Sequence, residues 1–462
     1  MYASEESKKA KESVLGGKAV GVPGIVKGIF TILEKYGTMS FAEVAAPAIR
    51  LAEEGFEVHP MQTQIITDEF GKLSKYSPDC VFLPGGLPAE TGTILKQPGI
   101  AKAFRLLASD GPDAFYNGPI GEAVVAAVNN SGGKMSMEDL RGYEMIVQKP
   151  VHGTYRGYSI YSTPPASSGG THIVQLLNIM ENFPVKALKH NSPEYLHYLA
   201  EGMKMVFADR QKYMADTAFV KVPLAGLSSK GYAKELADKI RKYEVMMEVP
   251  AGDPWPFDDS GKTAFIGGGG NKHISTSSFS VVDAAGNIVA STNTVNYFFG
   301  SGVIVPEYGV VLNNQMDDFS QNPESVNAPE PGKRPLSSMS PTIVLDPEGR
   351  AFMTIGAAGA MRIITAVSQI IMNVVDFGMP MDMAIEQPRI FNPAGGGKAG
   401  KLLIEEGIAP STVDYLKLRG HDLEARPFSG YFGTAQGILF DHTKGRMNGG
   451  ADSRRLGVPV GY

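Results

Sequence analysis

The sequence predicts an α+β protein of layered type, and three observations predict it. Apolar residues recur three and four apart through much of the first half, which is the helical period. From about Ile274 the pattern changes to short β-like runs separated by turns. One long apolar-periodic stretch, RIITAVSQIIMNVVDFG, interrupts those runs and reads as a helix set among strands.

In chain order, helices are expected from about Ile25 to Tyr36 and from Phe41 to Glu54. In PPASSGGTHIVQLLNIM a Gly-rich turn precedes another helix. Ser192-Pro193-Glu194 supplies an N-cap, a proline at the first helical position and an acid in the first turn. The helix it opens is expected through LHYLAEGMKMVFADRQKYM. Residues 251–275, AGDPWPFDDSGKTAFIGGGGNKHIS, are the compositional seam. Beyond it FSVVDAAGNIVAST, TIVLDPEGRAFMTIG and GILFDHTKGRMNGG each have the pattern of a β-hairpin. No internal repeat of solenoid period is present.

At 462 residues the chain can fill two or three average domains or one large one. It is 43% hydrophobic and 20% charged, and its formal net charge is −5 without a long like-charge run. That balance gives no electrostatic footprint for nucleic acid and no polybasic membrane patch. No apolar run approaches the ~18–20 residues that span a bilayer. Cys80 is the only cysteine, so no internal disulfide and no cysteine-based metal site can form. The eight histidines lack HExxH or HxH spacing, and neither a metal nor a cofactor is expected. GGKAVGVPG lacks the Lys-Ser/Thr of a nucleotide-binding P-loop.

The stretch with most chemistry is GGGGNKHISTSSFSVVDAAGNIVASTNTVN. If DAAGN (283–287) is the hairpin loop, Val282 faces Ile288 and, in the same register, Thr276 faces Thr294. Alternation then places Thr292, Thr294 and Asn296 on one face around Thr276. An exposed Thr/Ser face on an edge strand has the same composition. Gly267–Gly270, however, form a tether that ends at the threonine opening the strand. A precursor cleaved there would free the Thr276 amine beside its own hydroxyl. An α-amine has a reference pKa near 7.7–8.0, close to ideal for a general base, and it would activate the hydroxyl without histidine or metal.

TSSFSVVDAAGNIVASTNTVN, LNNQMDDFS, KRPLSSMSPTIV, TIGAAGAMRIIT and the closing DSRRLGVPVGY together resemble the γ-glutamyltranspeptidases, which are self-cleaving N-terminal-nucleophile hydrolases. GVPGIVKG, PPASSGGTHIVQLLNI and FADR extend the resemblance through the first half, so that it covers nearly the whole chain. It implies a four-layer αββα sandwich, with the N-terminal part of the family fold missing. It also implies cleavage between Ser275 and Thr276 into a large subunit, 1–275, and a small catalytic one, 276–462. The mature Thr276 would attack the γ-carbonyl of glutathione or another γ-glutamyl compound, and water or an amino-acid or peptide amine would resolve the ester.

The resemblance also assigns roles. Thr294 hydrogen-bonds the nucleophile. Asn296, Gln315 and Asp318 hold the donor's α-amino end, and Ser337 and Ser338 accompany its carboxylate. Backbone N–H groups of Gly359 and Ala360 form the oxyanion hole, where the family usually has two glycines. Alanine keeps that donor only if the local φ tolerates its methyl.

Two further departures bear on function. FSQNPESVNAPEPG, between Asp318 and Lys333, is short, so the lid loop of some members is expected to be absent and poly-γ-glutamate becomes a candidate substrate. Members also carry a longer segment before the GVPG motif, including an arginine for the donor carboxylate. No arginine here matches it, the first being Arg50. Localisation is expected to be periplasmic or extracellular if a further N-terminal segment carries a signal peptide, and cytoplasmic otherwise. Two alternatives stay open: a cephalosporin- or glutaryl-type acylase, against which Asp318 argues, and a catalytically silent relative acting as a binding protein.

Overall fold

The computed structural model describes residues 1–258 and 275–461, so the glycine run 267–270 and most of the seam lie outside the described residues. The chain packs into two compact units, one of Met1–Val147 with Thr294–Asp317 and one of Gln148–Asn293 with Asp318–Tyr462. Residues from both sides of the Ser275–Thr276 bond therefore contribute to each unit.

The first unit is built on helices α1 (Ile25–Tyr36), α2 (Phe41–Glu54), α3 (Pro98–Asp110) and α4 (Pro119–Asn130). Both helices expected here have the expected bounds. A capping box between Ser40 and Glu43 opens α2. Ile120 and Val124 of α4 share a buried cluster with Val303, Val305 and Leu312, which returns the 294–317 segment to this unit. The apolar period of α1 is split: Val26 and Phe30 pack on that cluster, while Ile25, Ile29 and Ile32 are exposed.

The second unit holds strands β1 (Val151–Tyr155), β2 (Tyr158–Ser162), β3 (Thr276–Val282), β4 (Ile288–Thr294), β5 (Thr342–Leu345), β6 (Ala351–Ala358), β7 (Thr434–Asp441) and β8 (Arg446–Ala451), with Thr294 marking the boundary. Its helices include α5 (Gly169–Met180), α6 (Pro193–Tyr213) and α7 (Arg362–Val375). Ser192 caps α6 as expected, its side chain accepting from the Tyr195 N–H.

Six of these strands form one antiparallel sheet in the order β8-β7-β6-β5-β2-β1. Along β6 the two-residue alternation divides the labour. Met353, Ile355 and Ala357 join the core with Ile363, Ile364 and Val367 of α7, and α5 packs beside α7 on the sheet. Thr354 and Gly356 face the other way and meet the β3–β4 hairpin. Thr354 donates to Ser280 Oγ at 3.2 Å, and a Cβ on Gly356 would stand 2.1 Å from Ser278 Oγ. Helices, six-stranded sheet and hairpin are thus successive α, β and β layers.

The hairpin follows the expected register. Ser278 Oγ lies 3.3 Å from Thr292 Oγ1, and the Asp283 N–H donates to the Asn287 carbonyl at 3.1 Å. Its polar face is the inner one, while Phe279, Val281 and Val289 point outward and are exposed. The β1–β2 hairpin is an element that the mostly helical reading of the first half does not contain. Arg156 and Gly157 form its two-residue turn with φ of 51° and 89°, the geometry that suits strand twist.

Candidate active site

Thr276 opens β3 and is buried at 8% exposure, on the face of the hairpin that meets the sheet. Arg455 Nη1 donates to its carbonyl oxygen at 3.4 Å. Burial pushes the Arg455 pKa down to about 10, with Asp452 working the other way, so the group remains a cation at neutral pH. Two buried guanidiniums fix the chain segment from which Arg455 projects. Asp452 is held by Arg389 at 2.8 Å and Arg454 at 3.0 Å, and Glu405 by Arg454 at 2.6 Å.

At the end of β6 the backbone turns into α7 through Gly359, Ala360 and Met361. Their carbonyl oxygens accept from the N–H groups of Arg362, Ile363 and Ile364. Among the described residues the N–H groups of Gly359 and Ala360 donate to no protein acceptor, which leaves two adjacent donors at a helix entrance. Gly359 has a φ of 144°, and a Cβ there would come within 2.8 Å of Gly433 Cα, so only glycine fits. Ala360 has a φ of 53°, in the left-handed region that costs an L-residue roughly 1–2 kcal/mol.

Ser337 and Ser338 lie against the Gly-rich turn before α5. The Ser337 N–H donates to the Ala166 carbonyl at 2.9 Å, and the Ser168 N–H and hydroxyl both donate to the Ser337 carbonyl at 2.9 Å. Arg210, near the end of α6, donates to Ser168 Oγ at 2.8 Å and to Ser338 Oγ at 3.0 Å, and its Nη1 is 3.6 Å from Met361 Sδ. One side chain thereby joins the serine pair to the turn of Gly359, Ala360 and Met361. Asp318 is buried and its charge acts on Arg210. The segment after Asp318 is tied down: Asn327 Nδ2 donates to the Asp318 carbonyl at 2.8 Å, and Lys333 Nζ to the Val326 carbonyl at 2.8 Å.

Thr294, Asn296 and Gln315 belong to the first unit. There the Asn296 N–H donates to Thr294 Oγ1 at 2.8 Å, and Asn296 Nδ2 to the Asn314 carbonyl at 3.1 Å. Asn296 has a φ of 75°, which asparagine tolerates better than most residues. The Gln315 N–H donates to Asn313 Oδ1 at 2.9 Å, an Asx turn that fixes its backbone. The second unit gathers Thr276, Asp318, Ser337, Ser338, Gly359 and Ala360.

Sequence reasoning gave no role to Arg210 or Arg455, although both lie in quoted motifs, FADR and DSRRLG. It also did not bring together His197, Glu201 and His421, three buried groups that could hold a metal ion. Protein partners already occupy that trio. His197 pairs with His421 at 2.9 Å and with the Arg241 carbonyl at 2.8 Å, and Lys204 Nζ sits 2.6 Å from Glu201 Oε1.

Comparison with known proteins follows the same lines. The family model described as gamma-glutamyltranspeptidase matches residues 1–462. The glutathione hydrolase proenzyme of Bacillus subtilis (strain 168) is 37% identical over 472 residues, covering 100% of this chain and 78% of that protein. The acylase ACY 1 proenzyme of Pseudomonas sp. (strain SE83) is 38% identical over 452 residues, covering 97% of this chain and 76% of its own. Among solved structures, the cephalosporin acylase from Bacillus halodurans superposes with a TM-score of 0.84 at 26% identity, over 100% of this chain and 83% of that one.

Proposed function

The chain belongs to the γ-glutamyltranspeptidase family and has the fold class of the N-terminal-nucleophile hydrolases, and from that premise we propose that it is a self-processing γ-glutamyltransferase and glutathione hydrolase. The reading is supported by a buried threonine that opens a strand packed on the sheet strand ending at Gly359 and Ala360, whose N–H groups donate to no acceptor among the described residues.

In this reading the precursor cleaves first. Thr276 Oγ attacks the Ser275 carbonyl carbon, the C–N bond breaks as the ester forms and so frees the Thr276 amine, and water then hydrolyses the ester to release the Ser275 carboxylate and restore the Thr276 hydroxyl. The amine then takes the hydroxyl proton as Oγ attacks the γ-carbonyl of the donor. Negative charge developing on the carbonyl oxygen is met by the N–H groups of Gly359 and Ala360. The proton passes to the departing amine, leaving a γ-glutamyl ester on Thr276. Water or an acceptor amine adds to that ester by the same route in reverse. Asp318 meets the donor ammonium, Ser337 and Ser338 its carboxylate, and Thr294, Asn296 and Gln315 keep the roles that the resemblance gives them.

A glutaryl-type acylase is the competing reading, favoured by the relative that is named an acylase. Asp318 discriminates, because a glutaryl donor has no ammonium for a buried carboxylate to meet.

The test is a denaturing gel with N-terminal sequencing, beside a Thr276→Ala control, and release of p-nitroaniline from γ-glutamyl and glutaryl donors. Two fragments, the shorter starting Thr-Ser-Ser-Phe, and turnover of the γ-glutamyl donor that the variant lacks are expected. An intact, inactive wild type overturns the reading, and preference for the glutaryl donor replaces it with the acylase.

A further inference from the structure

Asp209, on α6, is fully buried, yet no cation touches it among the described residues. Asp452, equally buried, is clamped by Arg389 and Arg454. Asp209 is held instead by three neutral donors. Gln175 Nε2 on α5 donates to Oδ2 at 2.6 Å, the Tyr232 hydroxyl to the same oxygen at 2.8 Å, and the Gly252 N–H to Oδ1 at 2.9 Å. One carboxylate therefore ties α6 to α5, to the helix Lys230–Lys239 and to the segment that runs from Val249 to Asp258.

This last tie has little slack. The Gly252 carbonyl accepts from the Tyr213 hydroxyl at 2.6 Å, and a Cβ on Gly252 would stand 2.1 Å from Tyr232 Oη. Three residues on, Trp255 is 6% exposed and edge-on to Tyr213. At the far end of the segment Asp258 Oδ2 accepts from the Gly226 N–H at 3.1 Å.

Burial pushes the Asp209 carboxyl up to about 6, against the bonds from Tyr232, Gln175 and Gly252 and the charge of Lys212. The other charged groups around it are Glu235 and Asp253, which act on Tyr232 and Tyr213, Asp258 at the segment's end, and Arg210, which acts on His172 of α5. Burial holds His172 at about 3 and raises both tyrosines, so none of these rings changes charge where Asp209 does.

A proton on Asp209 conflicts with its partners, because all three already present a hydrogen. The Gly252 N–H can only donate. Gln175 could turn its amide over, but its Oε1 lies 2.7 Å from His172 Nδ1, and the ring proton would have to move to Nε2, which has no partner. Whichever oxygen takes the proton, the Gly252 N–H exchanges an ionised acceptor for a neutral one. A charge-assisted bond then loses about half its strength.

We propose that Asp209 is a proton-operated latch on residues 249–258: ionised, it grips the Gly252 N–H and keeps Trp255 seated; protonated, it lets the segment loosen. The latch needs no substrate and is independent of the chemistry proposed above. In sequence the segment leads toward the Ser275–Thr276 bond, so the latch makes the approach to that bond sensitive to acid.

Trp255 is the chain's only tryptophan, so its fluorescence reads the latch directly. The test follows its emission from about pH 7.5 to about pH 5, beside far-ultraviolet circular dichroism, in wild type, Asp209→Asn and Tyr232→Phe. Wild type is expected to shift to the red with a midpoint near pH 6 while its circular dichroism holds. Asp209→Asn, which carries no charge, is expected to be red-shifted already at the upper pH and level below it. Tyr232→Phe removes a bond to the charged form and is expected to raise the midpoint by about one pH unit. Wild-type emission that stays level, or that shifts only as circular dichroism is lost, overturns the proposal. So does an Asp209→Asn protein that keeps the wild-type emission or titrates as wild type does. Should Asp209→Asn fail to fold, Tyr232→Phe decides: an unmoved midpoint overturns the latch.

Discussion

Ser278 occupies the space that a side chain on Gly356 would need, its Oγ standing 2.1 Å from where the Cβ would be. The hydroxyl is held there by the Ser291 carbonyl at 3.2 Å and Thr292 Oγ1 at 3.3 Å. This close approach sets the depth at which the hairpin carrying Thr276 lies on the sheet.

Gly356→Ala should therefore push β3 outward or force Ser278 out of its hydrogen bonds. Overpacking of this kind costs typically 1–3 kcal/mol. We expect a lower melting temperature and slower conversion to the two fragments, because Thr276 is two residues along the same strand face. Ser278→Ala in the same chain reopens the space and should recover most of both losses. A Gly356→Ala protein that cleaves and melts like wild type would show that the contact does not set the nucleophile.

How far the sequence discloses this arrangement depends on whether the cause is local. The β3–β4 register was legible because DAAGN fixes the turn and the alternation does the rest, and the Ser278–Thr292 contact follows from it. The helices opened at Ser40 and Ser192 were legible through their caps and period. β1–β2 was missed because Arg-Gly is a weaker turn signal than Asn-Gly, and His152, Thr154 and Tyr158 blur the polar–apolar alternation. The exposed side of α1 could not be read, since a periodic apolar face announces a helix but not what covers it. Arg210 was invisible for a different reason: its partners Ser168 and Ser338 lie 42 and 128 residues away, and nothing local marks a buried cation.

Ala360 tests the oxyanion turn from the opposite direction. The sequence reading made an alanine here conditional on φ, and the observed 53° is a value at which its methyl is strained. Ala360→Gly relieves roughly 1 kcal/mol of that strain, less the greater freedom that glycine has in the unfolded chain. Melting temperature should therefore rise slightly or stay level, with turnover at least that of wild type. Ala360→Val, with a β-branched residue at positive φ, should lose turnover while the fold persists. Loss of turnover in Ala360→Gly would mean that the methyl itself orders the turn.

The buried histidines give the protein a specific acid sensitivity. His172 is pushed down to about 3 by burial, against its bond with Gln175 and with Arg210 adding to the fall. His197 falls to about 4 and His421 to about 3, again by burial, with Lys204 and Arg419 adding to it. A histidine whose folded pKa lies below 6.5 stays neutral when folded but takes up a proton when unfolded, so its contribution is present above pH 6.5 and lost as pH falls toward 3–4. Asp209 acts in the opposite sense. Burial raises it to about 6, so the folded state takes up one proton between about pH 6 and 4. Each unmatched proton is worth about 1.4 kcal/mol per pH unit; burial also lowers His190, which adds to the three rings, and raises Glu201 and Asp376, which act with Asp209. Urea unfolding of the Thr276→Ala chain, kept whole so that it can refold, should show stability falling as pH drops below 6.5 and the histidines protonate in the unfolded chain. Replacing His197 and His421 together by glutamine removes two of these rings and should reduce that slope. An unchanged slope in the double variant would place the acid sensitivity elsewhere.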